Sequence, residues 1–186
     1  IPAKADADEQ FVNDVIQRSQ SLGDGSRLKK KLDAMSVSIE DLEKGYKKND
    51  YQKLPIQRLQ TLVEHWNFYG KELDAWRDEL QKQTLPISSD AADLAGRKKY
   101  WMDLKESSAN VMSPALLQRV DDLITEINTA ETALSVPLSR LLDLGQQGNS
   151  VAQRVEKGIG QAKQLVAQND VSLLRLDSPN IFAAAD

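Results

Sequence analysis

Few side chains in this chain have the chemistry for catalysis or ligation, and they are scattered. There is one histidine, His65, beside Trp66, and no cysteine. With no second histidine to share a metal and no partner serine in a recognisable motif, His65 reads as a solvent-facing or seam-edge residue. Carboxylates cluster at Glu40, Asp41 and Glu43, and again at Asp121, Asp122 and Glu126. Paired carboxylates divide acid and base work only when burial separates their pKa values, and these stand at surface positions of helical patterns, so both clusters read as solvated faces. Gly23-Asp24-Gly25-Ser26 has the look of a phosphate-cradling turn. No strand precedes it and no Lys-Ser signature follows, so a turn and an N-cap account for it. Basic residues run through Arg27, Lys29, Lys30 and Lys31, and Arg97, Lys98 and Lys99 precede Tyr100 and Trp101. Such interleaving can serve single-stranded nucleic acid or lipid headgroups, but Trp101 falls on an apolar seam and the net charge is −4, which favours solvated helix faces. No catalytic, cofactor-binding or metal-binding residue is assigned, and the chain reads as a non-enzyme.

Composition sets the frame for these residues. Aromatics make up 5% of the 186 residues and charged side chains 28%, which suits helix seams and is poor in the β-branched and aromatic content of sheets. The expectation is all-α, as one helical domain over residues 1–186. A negative chain has no global basic field to draw in nucleic acid or an anionic bilayer. Without cysteine there is no disulfide framework, though an oxidising compartment stays open. No apolar run approaches the roughly 18 residues of a membrane span, and no charged-then-apolar leader is visible. The small residues of Ile1–Ala7 suit the start of an exported mature chain.

The chain is organised around residues 113–169. Ser113-Pro114 reads as an N-cap with proline at the first helical position. From there the seam steps by three and four through Leu117, Val120, Ile124, Ile127, Leu134, Leu138 and Leu141, passes the small residues Gly145, Gly148 and Ala152, and resumes at Val155, Ile159, Ala162 and Val166. That heptad spacing predicts a helix from about Pro114 to Asn169, roughly 80 Å long if continuous. Pro137 predicts a kink, and Gly145–Ser150 is the place where it would otherwise break into two ordinary helices. A kinked, continuous helix is the preferred reading.

Four shorter helices are expected before it. They cover about 6–22, with Phe11, Val12, Val15, Ile16 and Leu22 apolar and Asp6, Asp8 and Glu9 near its positive end; 27–48, on Leu28, Leu32, Met35, Ile39, Leu42 and Tyr46; 55–83, on Leu59, Leu62, Trp66, Tyr69, Leu73, Trp76 and Leu80; and 90–108, on Leu94, Arg97, Trp101 and Leu104. Leu85-Pro86-Ile87 is read as the stop between the last two. Asp170 is read as capping a short turn, with residues 177–186 an irregular exit. None of the shorter helices can cover the long one alone. The expected architecture is therefore an elongated antiparallel helical bundle or coiled coil of about five helices, crossing at about 20°. One of Trp66, Trp76 or Trp101 is expected to pack over the narrow stretch Gly145, Gly148, Ala152.

Several segments resemble a known family. Met112-Ser113-Pro114-Ala115-Leu116, Val136-Pro137-Leu138 leading to Leu141-Leu142-Asp143-Leu144, Val151 with Val155, and Leu173-Leu174-Arg175-Leu176-Asp177-Ser178-Pro179, together with Trp66, Trp76 and Trp101-Met102-Asp103-Leu104, are similar to the extramembrane N-terminal region of large mechanosensitive channels of the small-conductance, MscS-like type. The likeness covers roughly residues 28–182, and Asn180-Ile181-Phe182 departs from the further proline that the family pattern would place there. The resemblance implies a periplasmic helical domain ahead of membrane-spanning segments that lie downstream, with parent channel subunits or a periplasmic or cell-wall component as partner. It implies no activity, cofactor or transferable site residue. A stand-alone coiled-coil adaptor or chaperone-like protein, and a helical-bundle ligand sensor with a pocket of several hundred Å³, are the alternatives.

Overall fold

The computed structural model describes residues 1–21, 25–108 and 110–176, and among them it is all-helical. Four α-helices follow one another: α1 (Pro2–Ser21), α2 (Ser26–Lys47), α3 (Ile56–Ser108) and α4 (Pro114–Leu176), with a single 3-10 turn at Tyr51–Lys53. Local signals set several of the ends. Asn49 adopts φ 55°, its N–H reaching the Tyr46 carbonyl while the Asp50 N–H reaches that of Gly45; this left-handed cap ends α2 at the expected place. At the start of α4, the Ser113 hydroxyl accepts the Leu116 N–H at 3.3 Å, with Pro114 in the first turn as expected.

The helix count is four, not five, because Leu85-Pro86-Ile87 does not stop a helix. Pro86 lies inside α3, at the cost of one backbone hydrogen bond. The seam explains why the helix continues. Leu59, Trp66, Leu73, Leu80, Ile87, Leu94 and Trp101 are all buried and stand seven residues apart, so breaking the helix at Pro86 would throw the later residues out of phase. Pro86 itself is exposed, on the outer face where its ring displaces nothing.

The long last helix is continuous through Pro137 and through Gly145–Ser150. It runs beyond Asn169, so Asp170 does not cap a separate turn; the backbone stays helical to Leu176. The expected irregular exit at 177–186 lies outside the described residues, as does Leu22. The α4 seam keeps about half of its expected positions, Ala152 among them, and exchanges the others for their neighbours. Val120, Ile127, Leu134, Leu141, Gly148, Val155 and Ala162 form one buried series, and Leu123, Ala130, Leu144, Val151 and Gly158 a second, whereas Leu117, Ile124, Leu138, Ile159 and Val166 are half-buried.

The described residues divide into two compact units. The first, residues 1–28 and 78–145, is a three-helix bundle of α1 with the later part of α3 and the earlier part of α4. Ion pairs Lys98–Glu131 and Lys105–Asp121 mark α3 and α4 as antiparallel there. Its core holds Val12, Val15, Leu94, Trp101, Leu123, Ile127 and Leu134. The second unit, residues 29–77 and 146–186, brings α2 against the earlier part of α3 and the later part of α4. Leu32, Ile39, Leu59, Trp66, Trp76, Val151 and Val155 fill it. A Cβ on Gly148 would collide with the Trp76 ring, so a tryptophan does pack over the narrow stretch of α4.

Candidate functional site

Each unit holds one cluster of polar side chains supported by a buried tryptophan. In the first unit Asp8, on α1, is the buried charged residue, at 1% exposure. Trp101 Nε1 donates to Asp8 Oδ2 at 2.8 Å and Lys4 Nζ to the same oxygen at 2.9 Å, while Arg97 donates to Oδ1. The Arg97 guanidinium lies 4.0 Å from the Phe11 ring centroid, and Lys4 Nζ 4.7 Å from that of Tyr100, so aromatic faces share the positive charge around the carboxylate. Nearby on α4, Arg119 forks onto Glu9 at 2.9 and 3.1 Å and also donates to Asp6. These carboxylates push the Arg119 guanidinium further towards its charged form.

In the second unit Trp66 Nε1 donates at 3.0 Å to Tyr46 Oη, which in turn donates to the Gly158 carbonyl at 3.2 Å. Gly158 is needed here because a Cβ would stand 2.5 Å from Trp66 ring atoms. Burial pushes the Tyr46 phenol up to about 12. Beside it Arg154 forks onto Glu43, with both hydrogen bonds at 3.0 Å, and gives its remaining nitrogen to Ser36 Oγ at 3.0 Å. That pairing holds the Glu43 carboxyl below its ordinary range and the Arg154 guanidinium above its own. Glu43, Tyr46, Lys47, Arg154, Lys157, Gly158 and Gln161 line a cleft of about 210 Å³. Chemically it offers little: Glu43 and Arg154 are engaged with each other and the Tyr46 hydroxyl with Trp66 and the Gly158 carbonyl, which leaves the cleft's solvent-exposed lysines and Gln161 to meet a ligand. A larger opening of about 360 Å³, lined by Gln60, Val63, Glu64, Lys163 and Val166, is mainly an apolar groove.

The residues singled out by sequence are dispersed. His65 is exposed on α3. Glu40 and Asp41 are exposed and both lie beside Lys44, whose ammonium is held in its charged form chiefly by Asp41; only Glu43 of that cluster turns inward. Asp121 pairs with Lys105 and Asp122 accepts from Gln118 at 2.9 Å, while Glu126 is exposed. Gly23 and Asp24 lie outside the described residues; Gly25 takes φ 69° and Ser26 opens α2. In the basic runs, Arg27 pairs with Glu79, Lys29 with Asp33 and Lys98 with Glu131. Arg97 is turned into the bundle towards Asp8, in keeping with its place on the seam of Leu94, Trp101 and Leu104 and against the solvated-face reading of the basic run. Asp8 corrects another: it serves as a core residue, not as a charge near the helix end. Its signal was present in the sequence, because 5, 8, 12 and 15 follow the same three-four step as a seam. Among the described residues no group of three or more His, Cys, Asp or Glu is placed to hold a metal ion, no buried side-chain nitrogen or oxygen lacks a hydrogen-bond partner, and no helix is long and apolar enough to cross a membrane. No protein-family model, curated protein or solved structure matches this chain.

Proposed function

We propose that this chain is a non-catalytic extramembrane helical domain of an MscS-like mechanosensitive channel protein, exposed to the periplasm, where it serves subunit assembly, periplasmic contact or modulation of gating. The observation that supports this reading most is the continuity of α3 and α4. Both helices contribute to both units, and neither is interrupted at Arg77–Asp78 or Gly145–Gln146, where the division between the units falls. Heptad seams of this kind suit a scaffold that bears load through side-chain packing. The polar side chains at the centre of each unit are spent on one another, as supports of the packing. The resemblance-bearing residues Ser113-Pro114 and Pro137 sit at the cap and in the interior of α4.

The test uses the full-length protein that carries this chain. With any cysteine outside this cysteine-free chain replaced by serine, one cysteine at the exposed Lys99 is probed with a membrane-impermeant maleimide in intact cells with a permeabilised outer membrane. Labelling before the inner membrane is broken is expected. Protection until lysis places the domain in the cytoplasm and overturns the reading. Patch recordings from spheroplasts then separate the roles: deletion of the domain shifts tension threshold or kinetics if it modulates gating, and lowers the number of assembled channels if it serves assembly. Unchanged threshold, kinetics, assembly and periplasmic cross-linking would together remove the function.

A further inference from the structure

In the second unit the groove between α3 and α4 is left open by α2. Arg154 and Gly158 of α4 and Trp66 of α3 bond to α2 residues. The opening of about 360 Å³ is lined by Gln60, Val63 and Glu64 of α3 and by Lys163 and Val166 of α4, and none of its lining residues belongs to α2. Its floor is apolar: Val63, Gly70, Ile159 and Val166 are half-buried, and a Cβ on Gly70 would touch Val155 and Ile159. Two helices of a bundle that keep such a strip half-covered have room for a further layer of helices on it.

The charges beside the strip say what that layer is. α3 carries Glu64 and, one heptad on, Lys71; α4 carries Glu156 and, one heptad on, Lys163; all four are exposed. Among the described residues none of the four has an ion pair. Arg77 donates to Asn149, which together with the Gly70 contacts makes the two helices antiparallel, with Glu64 level with Lys163 and Lys71 level with Glu156. A closed dimer needs a face that complements itself. This face does so in both ways that two copies can lie groove to groove. With the copies parallel, Glu64 meets Lys163 of the second copy and Lys71 meets its Glu156. With the copies antiparallel, Glu64 meets Lys71 and Glu156 meets Lys163. Four pairs of opposite charge close over the apolar strip either way, while Asp74, further along α3, is already paired with Arg77. We infer that this face docks a second copy of the chain about a two-fold axis, so that α3 and α4 of both copies form a four-helix layer in the second unit. Residues 56–77 of α3 give the face a length of about 33 Å, and two helices a width of about 20 Å. That is roughly 600 Å² from each copy, enough for a specific but weak, concentration-dependent dimer.

The experiment follows the full chain by sedimentation equilibrium at low ionic strength, up to sub-millimolar concentration. Its mass should rise with concentration from 20.7 kDa towards twice that value. Glu64→Lys/Glu156→Lys leaves only positive charge at the four exposed positions and should weaken association about tenfold or more, with the helical circular dichroism unchanged. Lys71→Glu/Lys163→Glu should do the same with negative charge. Mixed in equal amounts, the two variants should associate again as heterodimers. A parent chain that stays monomeric overturns the inference and leaves the groove to another protein or to another segment of this chain. Undiminished association of either variant alone overturns it too, as does failure to associate on mixing, because the contact would then lie elsewhere. The inference does not rest on the channel reading, which the labelling of a cysteine at Lys99 decides separately.

Discussion

The two units solve one packing problem with opposite chemistry. Each buries a tryptophan completely, Trp101 in the first and Trp66 in the second, and each must give the indole N–H an acceptor. The first unit uses a carboxylate, which has to be surrounded by Lys4, Arg97 and aromatic faces before it can be buried. The second uses the neutral Tyr46 hydroxyl, which donates its own hydrogen bond to the Gly158 carbonyl and asks only for a residue without a side chain beneath the ring. A charged acceptor makes the first unit sensitive to the loss of any one partner. A neutral one makes the second sensitive to volume.

That contrast can be broken by substitution, read by hydrogen exchange so that each unit reports separately. Asp8→Ala is expected to have the largest effect, a loss of about 3 kcal/mol confined to the first unit, because it leaves Arg97 without its counter-charge. Gly158→Ala should cost the second unit about 1–3 kcal/mol through overpacking against Trp66. Equal protection in both units after either change would dissolve the distinction. Tyr46→Phe should then cost about 1–2 kcal/mol, since the indole N–H loses its acceptor while the ring volume is nearly kept.

Two pH titrations sharpen the comparison. The folded second unit keeps Tyr46 protonated up to about 12, against an ordinary value of 10.0. Between those values the unfolded chain has released the proton and the folded chain has not, so the stability contributed below pH 10 is lost as pH rises towards 12. Tyr46→Phe should remove that alkaline decline. At the acid end Glu43 works in the opposite sense: its pKa is lowered from 4.5 by Arg154, so its contribution is present above that value and fades as pH falls through the folded pKa. Glu43→Gln should flatten this acid limb while costing the second unit less than about 1 kcal/mol at neutral pH, as expected for a partly exposed pair. A steep acid limb surviving Glu43→Gln would assign it to other carboxylates.

Much of the helical layout could be read directly. The caps at Ser113-Pro114 and Asn49-Asp50 and the seam of α2 depend on a few neighbouring residues, and local propensity decides them. Pro86 does not stop α3 because its penalty is local. The competing term was a seven-residue series from Leu59 to Trp101, whose burial is spread over the whole helix and outweighs one missing hydrogen bond. Of the polar clusters, Glu43 is legible in the sequence but its partner is not, and Asp8 reads as a helix-end charge and not as a core residue, since Arg154 and Arg97 are remote in sequence.

What the sequence determined by itself was the secondary structure class and its periodicity, because three-four spacing, proline placement and capping residues act within a few turns. The tertiary structure decided which side of each stripe is the core. Ile124 and Leu123 are neighbours with equal claim to burial, as are Ile159 and Gly158 once a tryptophan is near, and only the direction from which α1, α2 and α3 approach α4 separates them. It also decided that a carboxylate and a phenol become acceptors for buried indoles. A polar group's cost or value inside a protein is set by the partners that packing brings to it, and the indole partners lie 20 residues from Tyr46 and 93 from Asp8 along the chain.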